Sequence, residues 1–196
     1  SGSTGEAKCV RTSYENLDEA TSSIMRYMEV DSLRVSISSL QLHYTYGLSV
    51  LNLALASRSK FVLTKHSWIE SEFWSLVELH GVTDLSGVPF MFQILRRMKL
   101  SEQTLTNLKC VNQAGGRLEP KFTEYFIDYF SAHGISYLTM YGATEASPRI
   151  SYVPADRAKE KLGTVGLPID IGKLYTDAED SKSEGELIYE GANVCL

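Results

Sequence analysis

The sequence predicts an α/β fold, a mostly parallel sheet flanked by helices, with a β-rich extension at its C-terminal end. Three observations predict it. Short apolar or alternating stretches of strand length recur between longer stretches whose apolar residues fall at helical spacing. Helical stretches stop at residues that end helices, Gly81 and Gly134. After Tyr141 the texture changes, and Pro148, Pro154, Gly163, Gly166, Pro168 and Gly172 punctuate short β-like pieces. Repeated strand–helix alternation places parallel strands side by side with helices on the faces of the sheet.

Each element has its own warrant. A capping-box pattern, Thr12 with Glu15 three residues on, opens a helix near 13–28 that carries Leu17, Ala20, Ile24 and Met28 at helical spacing. Leu33 to Ile37 alternates as a strand does, and a loop through His43 leads to an apolar helix near 47–57. Phe61-Val62-Leu63 is a second strand. The stretch 68–80, with Ile69, Phe73, Leu76 and Leu79, is an amphipathic helix, and Val82 to Leu85 is the next strand. Pro89 fits the first turn of a helix to about Met98, Leu108 to Val111 is a strand, and Pro120 opens a helix with Phe122, Tyr125, Phe126, Tyr129 and Phe130 on one stripe. Ile135 to Met140 returns as a strand. These elements define a subdomain over 1–145 and a β-rich extension over 146–196, in which the charged segment 177–184 suits a hairpin turn.

Composition excludes several classes. The chain has 196 residues, 43% hydrophobic and 22% charged, so it resembles neither a disordered nor a disulfide-built protein. At this length folding hides about 70% of the unfolded surface, enough for a core without metal or cross-links. The longest apolar run, around residues 50–56, is interrupted by Asn52 and falls short of the ~20 residues a spanning helix needs. A net charge of -5 without a basic cluster argues against a nucleic-acid partner. Cys9, Cys110 and Cys195 are widely spaced with no CxxC, so neither zinc nor a disulfide framework is suggested, and a reducing compartment, the cytoplasm, is expected.

The opening Ser1-Gly2-Ser3-Thr4-Gly5-Glu6-Ala7-Lys8 combines glycines, hydroxyls and a lysine, the ingredients of a loop that wraps phosphate oxygens. On composition alone it reads equally as a flexible linker. It fails the GxxxxGK[ST] pattern of P-loop nucleotidases, and no GxGxxG occurs in the chain.

Further motifs choose between these readings. SGSTGEAK resembles the phosphate loop TSGSTGxPKG of the adenylate-forming superfamily of acyl-CoA and aryl-CoA synthetases, luciferases and peptide-synthetase adenylation domains, with Ala7 in the place of Pro and Cys9 in the place of Gly. The segment from Leu42 through His43 to Gly47 resembles that family's HxxxG, Gly115-Gly116-Arg117-Leu118 its adenine loop, and Tyr141-Gly142-Ala143-Thr144-Glu145 its YGxTE motif. Downstream, 163–168 resembles GxVGxP and 185–194 resembles GELxxxGxxV. The order and spacing agree over the whole chain.

The resemblance implies an acyl-CoA synthetase-like fold and a reaction in which a carboxylate attacks the α-phosphorus of ATP, pyrophosphate leaves, and a thiol such as CoA takes the acyl group. By resemblance Ser3, Thr4, Gly5 and Lys8 hold the β- and γ-phosphates, where fixed donors act on developing charge, and Ser1 and Gly2 belong to the same nucleotide-binding loop. Thr144 bonds the α-phosphate, and Glu145 holds Mg²⁺, a hard cation that takes oxygen ligands. Tyr141 and Gly142 lie on one side of the adenine, with Gly115, Gly116, Arg117 and Leu118 on the other. His43 flanks the acid's carboxylate. Taken singly, Tyr141 reads as a core side chain, Glu145 as a solvated acid and His43 as a hydrogen-bonded loop residue. His66, His80 and His133 match no motif. No acidic residue lies between Leu40 and Ala56, where amino-acid-activating relatives place an Asp, so a fatty, aryl or other plain carboxylic acid is favoured over an amino acid.

Ser1 is not a Met, and the resemblance covers the middle and latter part of the family's large N-terminal domain. The expectation is a fragment lacking the upstream segment, the ribose-binding Asp and the C-terminal domain with its catalytic Lys, inactive alone and inclined to form a homodimer through uncovered apolar surface. Two other readings stand beside it: a non-catalytic nucleotide-binding or structural module derived from this family, and an unrelated Gly-loop α/β binder.

Overall fold

The structure is a computed structural model and describes residues 9–178 and 184–196. The candidate phosphate loop, Ser1 to Lys8, and most of the expected turn at 177–184 lie outside the described residues.

The first helix, α1 (Tyr14–Met28), is capped by Ser13 rather than Thr12. Ser13 Oγ accepts from the Asn16 amide and Asn16 Oδ1 accepts from the Ser13 amide, both at 3.0 Å. A tertiary bond explains the one-residue shift: Asn16 Nδ2 donates to the Ala192 carbonyl at 2.8 Å, which ties the helix start to the far end of the chain. There follow β1 (Val35–Ile37), α2 (Thr45–Ser57), β2 (Lys60–Val62), α3 (Ser71–His80) and β3 (Asp84–Gly87). Next come α4 (Pro89–Leu95), α5 (Glu102–Asn107), β4 (Cys110–Gln113), α6 (Pro120–Ser131) and β5 (Ser136–Tyr141). Gly81 takes the left-handed conformation that closes α3, with φ +60°.

Where the boundaries differ from expectation, a side chain or a turn accounts for it. The helix begun by Pro89 stops at Leu95, three residues early, because the chain tightens into a turn in which the Met98 amide bonds the Leu95 carbonyl at 3.0 Å. α5 is too short for periodicity to reveal. Its signal is Ser101, whose hydroxyl accepts from the Thr104 amide at 3.0 Å and caps the helix. β3 and β4 each begin two residues later than the apolar pattern suggests, since the paired backbone extends into polar residues that other elements cover.

The extension supplies β6 (Ser151–Val153), β7 (Leu167–Pro168), β8 (Gly172–Thr176) and β9 (Leu187–Gly191). Seven strands make one sheet in the order β2-β1-β3-β4-β5-β6-β7, parallel from β2 to β5 and antiparallel at β6 and β7. β8 and β9 form a separate antiparallel pair.

Alternation along the strands divides the interior into two layers. Ile37, Leu85, Val111 and Tyr137 face one side, where Trp68, Phe73, Phe92, Phe126 and Phe130 from the loop before α3 and from α3, α4 and α6 form an aromatic core. Cys110, Leu138 and Met140 face the other, against Ile24 and Met28 of α1 and Tyr46, Val50 and Leu53 of α2. On this second face the centre of the sheet is polar: Ser36, Asp84, Ser86 and Asn112 are all buried there. Burial pushes the Cys110 thiol up to about 12, so it packs as an apolar side chain rather than acting as a nucleophile. Among the described residues no helix is long and apolar enough to cross a membrane.

Candidate functional site

Parallel strands β1, β3, β4 and β5 all point their C-terminal ends to one edge of the sheet, and the loops leaving them meet there, the usual place for a ligand in an open α/β sheet. Two concavities lie along this edge. The first has a volume of about 540 Å³ and is bounded by Gly115, Gly116, Arg117 and Leu118 after β4, by Tyr141 and Gly142 at the end of β5, and by Gly163, Thr164 and Val165 before β7. The second, an open groove of about 650 Å³, is lined by Ser39, His43, Tyr44, Thr45, Val88 and Thr144. Both lie within the range of small-molecule sites.

Local chemistry explains the shape of the first cavity. Gly115 has φ +77°, and a Cβ there would lie 2.5 Å from Tyr44 Oη, so only glycine lets the Tyr44 ring close over this turn. Gln113 Nε2 donates to the Gly116 carbonyl at 2.8 Å and holds the loop in place from beneath. On the opposite wall, a Cβ on Gly142 would come within 1.7 Å of the Pro148 carbonyl oxygen. The chain therefore doubles back tightly after Tyr141, which leaves that ring 41% exposed at the cavity rim.

The loop from Tyr141 to Arg149 is clamped by residues far along the chain. Asn193, fully buried, donates through Nδ2 to the carbonyls of Ala146 and Arg149, at 2.5 and 2.7 Å, and its Oδ1 accepts from the Tyr189 hydroxyl at 2.8 Å. The Cys195 amide bonds the Glu145 carbonyl at 2.8 Å. Asn193 and Cys195 thus hold the backbone of Glu145, Ala146 and Arg149, the loop that follows Thr144.

Of the residues singled out from sequence, Gly115, Gly116, Arg117, Leu118, Tyr141 and Gly142 meet on the first cavity. His43 and Thr144 meet on the groove, while Glu145 lies exposed on the short 3₁₀ turn that begins at Thr144. Ser1, Gly2, Ser3, Thr4, Gly5 and Lys8 lie outside the described residues. Sequence reasoning missed Thr45, whose Oγ1 is 3.1 Å from Thr144 Oγ1, and Tyr44, which packs on Gly115. It also left 163–165 as a motif without a place, although these residues close the first cavity. Their signal was present in the pattern, but not their neighbours. Glu145 and Thr144 present carboxylate and hydroxyl oxygens, the hard donors that Mg²⁺ prefers.

Comparison with known proteins agrees with this architecture. The family model described as AMP-binding enzyme matches residues 1–196. The chain is 23% identical over 192 residues to a feruloyl-CoA synthase from Amycolatopsis sp, covering 97% of this chain and 38% of that protein. It is 23% identical over 194 residues to a 2-succinylbenzoate–CoA ligase from Staphylococcus epidermidis, covering 99% and 40%. Among solved structures it superposes on the o-succinylbenzoate CoA synthetase from Bacillus subtilis in complex with ATP and magnesium ion, with a TM-score of 0.86, 23% identity and coverage of 100% and 40%. A long-chain-fatty-acid-CoA ligase from Archaeoglobus fulgidus gives a TM-score of 0.83 at 16% identity, covering 100% and 41%. At these identities the structural likeness establishes the fold, and the chain spans about two fifths of the length of the relatives it matches. The chain belongs to the AMP-binding enzyme family.

Proposed function

We infer that this chain forms the nucleotide- and acid-binding core of an ATP-dependent, AMP-forming carboxylic acid ligase acting in the cytoplasm. The observation that carries the reading is the short segment from Tyr141 to Thr144. Its first two residues line one cavity and its last lines the adjoining groove, so a nucleotide base and a carboxylic acid held in the two are directed at one point between them.

In the proposed reaction an acid carboxylate oxygen attacks the α-phosphorus of ATP. A bond forms between them, the bond to the bridging oxygen breaks, and pyrophosphate leaves with that electron pair. A thiol, CoA in this reading, then attacks the acyl carbon and releases AMP. Tyr141 and the glycine loop Gly115-Gly116 would hold the adenine, where an aromatic face adds about 0.5–1.5 kcal/mol beyond burial. The Thr144 hydroxyl, oriented by its contact with Thr45, would donate to an α-phosphate oxygen as charge grows there, the point at which a fixed donor contributes most. His43 would flank the acid in the groove. Mg²⁺, for which Glu145 and Thr144 offer suitable oxygens, would neutralise phosphate charge when bound. Ser3, Thr4, Gly5 and Lys8 belong to the same proposal as binders of the departing phosphates.

Calorimetric titration with AMP, and with ATP plus Mg²⁺, tests the nucleotide site, with Tyr141→Ala as control. Binding that weakens about 10-fold in the variant is the expected result. Acid-dependent exchange of pyrophosphate into ATP by the full-length protein tests the chemistry. Nucleotide binding without exchange for any acid would instead favour a non-catalytic module. The 196-residue polypeptide taken alone is expected to bind nucleotide without turnover.

A further inference from the structure

The loop that carries Thr144 leaves β5 at Tyr141 and rejoins the sheet at Ser151 of β6, and the Ile150 amide closes its neck on the Tyr141 carbonyl at 3.0 Å. Arg149 is the last residue before that neck, and it is 3% exposed. Arginine is almost never buried so deeply unless a partner holds it. Here the partner is an aromatic face: the guanidinium lies 4.4 Å over the centre of the Tyr46 ring.

Tyr46 is itself fixed. It is 2% exposed, and its hydroxyl donates to Asn112 Oδ1 at 2.6 Å, which ties the ring to β4. Burial pushes that hydroxyl up, so the ring stays neutral and the attraction is between a cation and a π face, strongest where both are out of water. Arg149, Asn112 and Asp84 border a cavity of about 10 Å³, room for one water. Arg149 Nε and Asn112 Nδ2 are buried without an acceptor; one water would accept from both and donate to the carboxylate of Asp84, which Arg34 pairs at 2.9 Å.

Thr45 and Tyr46 are neighbours in the first turn of α2. Two side chains of the loop therefore reach one turn of one helix: Thr144 meets Thr45, their hydroxyl oxygens 3.1 Å apart, and Arg149 covers Tyr46. Helix geometry relates Thr45 to Tyr46 rigidly, so the seat of Arg149 on Tyr46 sets where Thr144 stands against Thr45.

We propose that Arg149 is a positioning residue for the adenylation step: seated on Tyr46, it locks the loop to α2 and so holds the Thr144 hydroxyl, paired with Thr45, in the direction of the α-phosphate. The proposal rests on the ligase reading and adds to it a residue that touches neither nucleotide nor acid. Its effect falls on the orientation of a donor that acts as charge develops, and hence on the rate rather than on binding.

The test is a double-mutant cycle in the full-length protein, read by kcat and KM for acid-dependent pyrophosphate release. Arg149→Met should lower kcat about 10-fold with KM for ATP within about 3-fold. Arg149→Lys, which keeps a cation over the ring, should recover most of the rate. In a Thr45→Val background Arg149→Met should cost less than about 3-fold, because the pair that it serves is already gone. Should Arg149→Met fail to fold, fluorinated tyrosine at position 46 keeps the ring's shape while weakening its hold on the cation; kcat should then fall with each added fluorine when Thr45 is present and stay level in Thr45→Val. An equal loss in both backgrounds, or a drop in thermal stability with kcat unchanged, overturns the proposal and leaves the ligase reading intact. Absence of pyrophosphate release by the wild type with every acid, despite nucleotide binding, overturns both.

Discussion

Thr144 and Thr45 illustrate how a single contact across 99 residues of sequence defines a site. If the Thr144 hydroxyl stabilises charge at the α-phosphate, Thr144→Val should lower kcat by about 100-fold while leaving AMP binding within a few-fold. Thr45→Val should cost less, about 10-fold, because it removes the group that orients the donor and not the donor itself. Single-turnover measurement of pyrophosphate release separates the two; equal effects would show that Thr45 has no orienting role. Gly142→Ala tests backbone instead of chemistry. Its added methyl would meet the Pro148 carbonyl at 1.7 Å, so the loop must open, and AMP binding should fall together with thermal stability. The YGxTE pattern made Gly142 and Thr144 visible in the sequence. Thr45 was not, because a threonine at the start of an apolar helix carries no mark of its partner.

At the level of elements, α1 and α2 both end without glycine. Glu29 and Arg58 close them in the left-handed region, at φ 51° and 55°. A residue with a Cβ is strained there, and Arg58→Gly should raise unfolding free energy by about 0.5–1 kcal/mol, readable by urea denaturation with no effect on nucleotide affinity. Asn193 acts in the opposite sense. Its amide holds two carbonyls of the loop that carries Thr144, and Asn193→Ala leaves both without partners in a buried place. A loss of about 2–3 kcal/mol in stability is expected, accompanied by weaker AMP binding. Sequence periodicity located most of these elements, since helices with a clear apolar stripe and glycine stops declare themselves. It missed α5, a helix of only six residues, and it placed the cap of α1 one residue early because Asn16 is selected by a carbonyl near the opposite terminus.

For the whole molecule, the C-terminal segment is fastened to the α/β layers by apolar packing, with Val153 and Ala158 in the aromatic core and Tyr152 stacked on Tyr27, and by polar contacts beside it. Asp170 accepts from the Arg26 Nε and from the Ser23 hydroxyl, both at 2.5 Å. The Arg26 hydrogen bond, with burial opposing it and Ser23 assisting, holds the Asp170 carboxyl below its ordinary value of 3.8. A carboxyl depressed in the folded state stabilises above the unfolded pKa, and that contribution disappears as pH falls through the folded value. Asp170→Asn should therefore destabilise the protein by about 0.5–1 kcal/mol near neutrality, since the pair is half exposed, and the difference from wild type should close below about pH 3.8. Denaturation curves across that range give the answer, and a difference independent of pH would point to packing instead of charge.

The amino-acid sequence by itself determined the alternation of strands and helices, the parallel sheet that follows from it, and the positions of the glycine and hydroxyl motifs. Each of these depends on neighbours within a few residues, through backbone conformation, capping or periodic burial. Only the tertiary structure decided which motifs share a wall. It brought 163–165 across to Tyr141, set Thr45 against Thr144, and folded Ser36, Asp84, Ser86 and Asn112 beneath helices where strand alternation alone would have turned them to solvent. It also buried Arg149, whose charge in the sequence reads as that of a surface residue. Such placements come from the packing of elements far apart along the chain, and no local pattern encodes them.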